Sequence, residues 1–302
     1  MKKIILCMLL GVIWGMTSCN NEDHLFPSEE DIYGYFVPQG DHDYDATIVE
    51  WKNKYNVFTL YKWTPKDLYW SPTGWTEFVP NEEGSLYAGT GNRAARMADE
   101  NYVGQQLDLI YSQFMSFYSD STLRRCLPLK IILCDSIERV NAIDGSRDFM
   151  NIDSYFDLLA FSWGTDKVLS MTTDQKNLFK VDVNQTFLKR LIDNGKITKK
   201  EQFFKLGDYS SSVTNTNMYA RGFIESGTKA EDDWETYVKV IISTPYEELI
   251  AETGDKDYTN KGILNPMKDE NGLIRKKYDI VVNHWKSEYN IDLQAIGNAT
   301  IK

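Results

Sequence analysis

The stretch that most constrains the fold is Leu178–Gly195, LFKVDVNQTFLKRLIDNG. An apolar entry (Leu178, Phe179, Val181, Val183) runs into a stripe at helical spacing: Phe187, Leu188, Leu191 and Ile192. Gly195 stands where a helix commonly stops, at the C′ position that favours a left-handed backbone. The spacing predicts a helix with one face in the core. Its polar residues are notable for what they lack, because the window Val181–Lys196 contains no His and no Glu.

The N-terminus reads as an address. Lys2 and Lys3 form a basic start, and Ile4 to Trp14 is an apolar run too short to span a bilayer. Met16-Thr17-Ser18-Cys19 resembles a bacterial lipobox, so residues 1–18 are expected to be a lipoprotein signal peptide and Cys19 the lipidated residue. Asn20-Asn21-Glu22-Asp23 resembles the surface-export signal of Bacteroidota-type lipoproteins. The expected location is the outer membrane, lipid-anchored and facing the exterior. Residues 19–46 are acidic and broken by Pro27, Gly34, Pro38 and Gly40, as a tether would be. Asp41, Asp43 and Asp45 alternate as in a calcium loop, but the turn Gly and distal Glu are missing.

The rest, 47–302, reads as one domain. Its composition, 42% hydrophobic and 25% charged, suits a sizeable core, and a net charge of −11 argues against nucleic acid as a partner. Cys126 and Cys134 flank LPLKIIL; as a strand, eight steps of ~3.3 Å hold them about 26 Å apart, too far for a disulfide. They read as two buried small hydrophobes.

An α/β part is expected over 47–180. A short helix leads to a strand with Val57, Thr59, Tyr61 and Trp63 on one face. Trp63, Trp70 and Trp75 are either a sugar-stacking platform or core and loop braces. A helix follows over Asp99 to Tyr118, with Val103, Leu107, Ile110, Tyr111, Phe114 and Phe117 inward. Leu127–Cys134 reads as a central strand, and Leu158–Met171 as a hairpin turning at Gly164-Thr165-Asp166. A helical part is expected over 181–302. Capping boxes at Thr198/Glu201 and Thr228/Glu231 open helices, Pro245 starts another that reaches about Gly254, and the longest late helix carries Ile274, Tyr278, Val281, Trp285 and Tyr289.

Taken in order, several segments resemble one family: WKNKYNVFTLYKW, PLKIILCDS, LAFSWGTDKVLSM, GFIES…EDDWETYVKVII and KKYDIVVNHWKSEYNIDL. They are similar to zinc-metallopeptidase lipoproteins encoded beside SusC/SusD-like outer-membrane nutrient importers. That resemblance implies an α+β fold with a gluzincin-like scaffold: a mixed sheet in the N-terminal half, then a mostly helical C-terminal half. It also implies H-E-F-x-H on the metal helix and E-D-F-A-E on a later one. Here Asn184, Gln185 and Leu188 stand at the first motif's His, Glu and His. Thr236 stands at the second motif's last acid, with Glu235 one residue off. A catalytic zinc needs three donating side chains, and Gln185 cannot take a proton from water. The whole chain holds three His (His24, His42 and His284), none paired at i, i+4.

The expectation is therefore a degenerate metallopeptidase scaffold without metal, cofactor or catalytic residues. It would serve as an accessory or ligand-binding component beside a SusC/SusD-like importer. A peptide or glycan is the candidate ligand, with Tyr209, Tyr219 and Arg221 as possible contacts in a vacated cleft between Asn184 and Thr236. The alternative is an active peptidase or glycosidase using Asp232, Asp233, Glu235, Glu247 or Glu248. A purely structural subunit is the third reading.

Overall fold

The computed structural model describes residues 34–69, 86–87, 93–141, 143–254 and 256–300. The chain divides into two units, Met1–Phe36 and Val37–Lys302, and the helices and strands of the described residues belong to the second. The signal peptide, Cys19, most of the tether, Trp70 and Trp75 lie outside the described residues.

The elements alternate early and become helical late. In chain order they are α1 Asp45–Tyr55, β1 Phe58–Leu60, α2 Pro65–Tyr69, β2 Leu86–Tyr87, β3 Arg93–Met97, α3 Val103–Gln113, α4 Asp120–Cys126 and β4 Lys130–Val140. Then come β5 Arg147–Met150, β6 Ile152–Ser154, β7 Leu158–Phe161, α5 Thr173–Asp193, α6 Glu201–Phe204, α7 Ala230–Ser243, α8 Tyr246–Leu249, α9 Leu273–Tyr289 and α10 Leu293–Asn298. The expected architecture, a mixed sheet followed by a helical half, is the one observed.

β4 is the spine. Its first half pairs in parallel with β1 and with β7, and its second half pairs antiparallel with β3 and with β5. β2 adds to β3, and β6 to β7, both antiparallel. A strand flanked on both sides and covered on both faces must be apolar throughout, and Ile131, Ile132, Leu133 and Cys134 are fully buried. Lys130 is also buried and is satisfied by Asp157 at 3.0 Å and the Asp67 carbonyl at 2.7 Å.

The domain begins earlier than the sequence suggested. Gln39 Oε1 accepts from the backbone N–H of Tyr61 and of Lys62 at 2.8 and 2.9 Å. Asp45 is buried and accepts from the Tyr61 hydroxyl and the His42 N–H. Gln39 and Asp45 thus tie this part of the expected tether to the domain, and Asp45 is spoken for by protein donors.

Three local expectations are corrected. α5 starts at Thr173, so it crosses the expected boundary at 180; a capping box between Thr172 and Gln175 opens it, and Leu178 is 60% exposed. Gly195 does follow it with φ +67°. No hairpin forms over 158–171: β7 ends at Phe161 and a 3-10 turn covers Asp166–Ser170. The anticipated capping boxes at α6 and α7 are absent, since Thr198 and Thr228 bond elsewhere, and α8 stops at Leu249 because its backbone turns to accept Gly262 and Leu264. The two cysteines are free as expected, Cys134 buried and Cys126 only half so.

Candidate functional site

Of the residues expected at degenerate metal positions, Asn184 and Leu188 are core, both 0% exposed. The Asn184 amide is saturated: Oδ1 accepts from the Tyr118 hydroxyl at 2.7 Å, and Nδ2 donates to the Gln113 and Lys180 carbonyls at 2.9 and 2.7 Å. Leu188 sits in the main apolar cluster, and neighbouring Phe187 packs edge-on against Phe114 and Tyr118 at 5.0 Å. Gln185 is half-buried. On α7, Glu235 pairs with Lys199 at 2.6 Å, and the Thr236 hydroxyl donates back to the Asp232 carbonyl. This donor set does not fit a zinc ion. Among the described residues no group of three His, Cys, Asp or Glu side chains is placed to share a metal.

The expected cleft contacts are structural as well. Tyr209 donates to Asp233 Oδ2 at 2.6 Å, Tyr219 donates to the Asp257 carbonyl, and Arg221 bonds the Asp208, Ser211 and Ser212 carbonyls. They brace a loop cluster around Val213, Met218 and Phe223, not a cleft facing Asn184. Trp63 is 5% exposed and donates Nε1–H to the Leu133 carbonyl, so it braces the core and offers no platform. Of the alternative carboxylates, Asp233 is buried against Lys277 at 2.6 Å, while Asp232, Glu247 and Glu248 stay exposed on separate helices. Burial raises the Asp233 carboxyl, opposed by the Lys277 charge. His284 is buried with Nε2 2.6 Å from the Thr198 carbonyl.

A different face of α5 borders a cavity of about 510 Å³, lined on that side by Gln175, Leu178 and Asp182. These recur at helical spacing, and at ~100° per residue Asn184 lies about 200° around the helix from Asp182, on the opposite side. The other walls come from β3, β4 and β5 and the chain after β7: Arg96, Asp135, Glu138, Phe149, Trp163 and Lys167.

Trp163 is the pivot of this wall. Its φ is +80°, a conformation costly for a bulky side chain. The surroundings over-determine it. Its N–H donates to the Asp135 carbonyl at 3.0 Å, and Gly164 N–H donates to the Cys134 carbonyl at 2.8 Å. Gln106 Nε2, buried beneath, donates to the Cys134, Phe161 and Ser162 carbonyls. Only glycine fits at 164, because an added Cβ would meet Ala98 Cβ at 2.4 Å and the Cys134 carbonyl at 2.9 Å. Trp163 Nε1 then donates to Asn151 Oδ1, and Asn151 Nδ2 donates to Asp182 Oδ2, both at 2.7 Å. This relay locks the post-β7 loop, β5–β6 and α5 into one rim.

Phe149, 49% exposed, rests edge-to-face on Trp163 with centroids 5.3 Å apart. Glu138 is its cross-strand partner and pairs with Arg147 at 3.0 Å. Burial raises the Asp135 carboxyl, while Arg96 and Lys167 pull it back down. A half-open cavity with a braced aromatic ring, fixed amides and interleaved charges can hold a polar ligand. None of these residues was visible as a site in the sequence. The one available signal was a Trp-Gly pair closing an apolar run, which reads equally as a turn.

No family model matches this sequence, and no curated protein matches it. Among solved structures, a crystal structure of a candidate zinc-binding metallo-peptidase from Bacteroides caccae aligns over 85% of this chain and 91% of that one. The identity is 12% and the TM-score 0.45.

Proposed function

We propose that this chain is a ligand-holding lipoprotein built on a metallopeptidase-like scaffold that no longer cuts. The observation that carries the reading is the saturated Asn184: the position that would present an imidazole to zinc is instead a buried amide, bonded to Tyr118, Gln113 and Lys180. The cavity at Trp163 is the place where the ligand is held. The lipobox-like Met16-Thr17-Ser18-Cys19 supports an outer-membrane anchor, and the acidic residues after it support an outward-facing position. In that setting the protein serves as an accessory to a SusC/SusD-like importer and has no nucleic-acid partner.

The test is proteolysis of casein by the full chain with and without a chelator, alongside surface-protease shaving of cells. The reading expects no chelator-sensitive cleavage and removal of the protein by shaving. Chelator-sensitive cleavage would sink the holding role, and resistance to shaving would sink the outward placement.

A second reading is favoured by one observation, the raised Asp135 carboxyl in the same cavity. A carboxyl group facing a bound sugar is the kind of group a glycoside hydrolase uses as proton donor. Release of reducing ends, abolished by Asp135→Asn, would establish it.

A further inference from the structure

Resting on the reading that the Trp163 cavity holds a ligand, we infer that the ligand is a neutral, hydroxyl-rich ring: a glycosyl unit laid on Phe149. Three features of the cavity point to that chemistry.

The first is an apolar face with a fixed position. Phe149 is half exposed, and Trp163 backs it edge-to-face. Trp163 cannot swing away, because its backbone and its indole N–H are both bonded. A pre-fixed ring loses little freedom on binding, and aromatic faces suit the C–H face of a sugar ring.

The second is the arrangement of charge. The wall carries both signs of charge: Arg96 and Lys167 together with Asp135, Glu138 and Asp182. A zwitterionic peptide end needs a positive pole and a negative pole, each gathered in one place. A purely cationic or purely anionic ligand would meet like charges on this wall as well as opposite ones. Hydroxyls both donate and accept, so they can pair with groups of either sign.

The third is rigidity of the polar groups. Asn151 and Asp182 are held by each other and by Trp163. Donors and acceptors set in advance select among the stereochemistries of a polyol, as pre-organised polar groups do in small-molecule sites. The cavity, about 510 Å³, is within the usual ~300–1,000 Å³ of such sites.

The experiment is binding of the full chain to an array of neutral oligosaccharides and, in parallel, of free tripeptides. The best binders are then measured by titration calorimetry against wild type, Phe149→Ala and Phe149→Trp. Phe149 lies at the surface, so both variants are expected to fold, which circular dichroism checks. The inference expects an oligosaccharide hit that Phe149→Ala weakens by about tenfold and Phe149→Trp retains. Oligosaccharide binding indifferent to Phe149→Ala, or no oligosaccharide binding at all, overturns it. Tripeptide binding that depends on Phe149 overturns the sugar assignment but leaves the holding role standing. Chelator-sensitive cleavage instead brings down the holding role itself.

Discussion

The Tyr118 hydroxyl donates to Asn184 Oδ1 at 2.7 Å, joining the connection between α3 and α4 to the middle of α5 inside the core. Asn184→Ala strands that hydroxyl and frees the Gln113 carbonyl. A buried group left without its partner costs about 1–3 kcal/mol. Calorimetric melting should therefore show a clear drop in Tm. Replacing Asn184, Gln185 and Leu188 together by His, Glu and His should destabilise further, because two imidazoles would have to fit a packed apolar interior.

Lys277 and Asp233 form a second buried connection, 2.6 Å apart and both fully enclosed, with the ammonium ringed by Phe203, Tyr209, Phe223 and Tyr237. Burial lowers the Lys277 ammonium and raises the Asp233 carboxyl. Lys277→Met alone leaves an unpaired buried carboxylate and is expected to lose about 3–5 kcal/mol in urea unfolding. The double change with Asp233→Leu should recover much of that loss, and the double-mutant cycle measures how much.

Asp135 gives a pH signature. Its carboxyl is raised in the folded state, with burial as the largest cause. Its ionisation therefore weighs against the fold above its folded pKa, less so as pH falls, and not at all below the unfolded value of ~3.9. Asp135→Asn should raise Tm at about pH 7 and leave it unchanged at about pH 3. A gain of equal size at both values would contradict this cause.

Gly164→Ala tests the clamp under Trp163. The added methyl meets Ala98, Gln106 and the Cys134 carbonyl, all closer than 3.0 Å, and two of these cannot swing away. The variant should lose stability by about 1–3 kcal/mol through overpacking and should also lose ligand binding. Phe149→Ala is expected to weaken binding while keeping Tm.

The layered fold was legible because burial imprints its period on the chain. Ile131–Cys134 reads as a doubly covered strand, and Phe187, Leu188 and Leu191 read as an inward helix face. The site was not legible, for physical reasons. Trp63 and Trp163 are indistinguishable in sequence, yet one bonds the Leu133 carbonyl in the core and the other lines a cavity. Asn151 and Asp182 lie 31 positions apart and meet only because β5–β6 folds over α5. The positions Asn184, Gln185 and Leu188 show what is missing from a metal motif, but not that the amide of Asn184 is fully engaged by its neighbours.

The most direct measurement is the zinc content of the full chain, purified after growth with added zinc and assayed by elemental mass spectrometry. A saturated Asn184 and a packed Leu188 predict zinc at trace level relative to protein, unchanged by dialysis against a chelator. One zinc per chain, lost with the chelator and restored on adding the metal back, would contradict them.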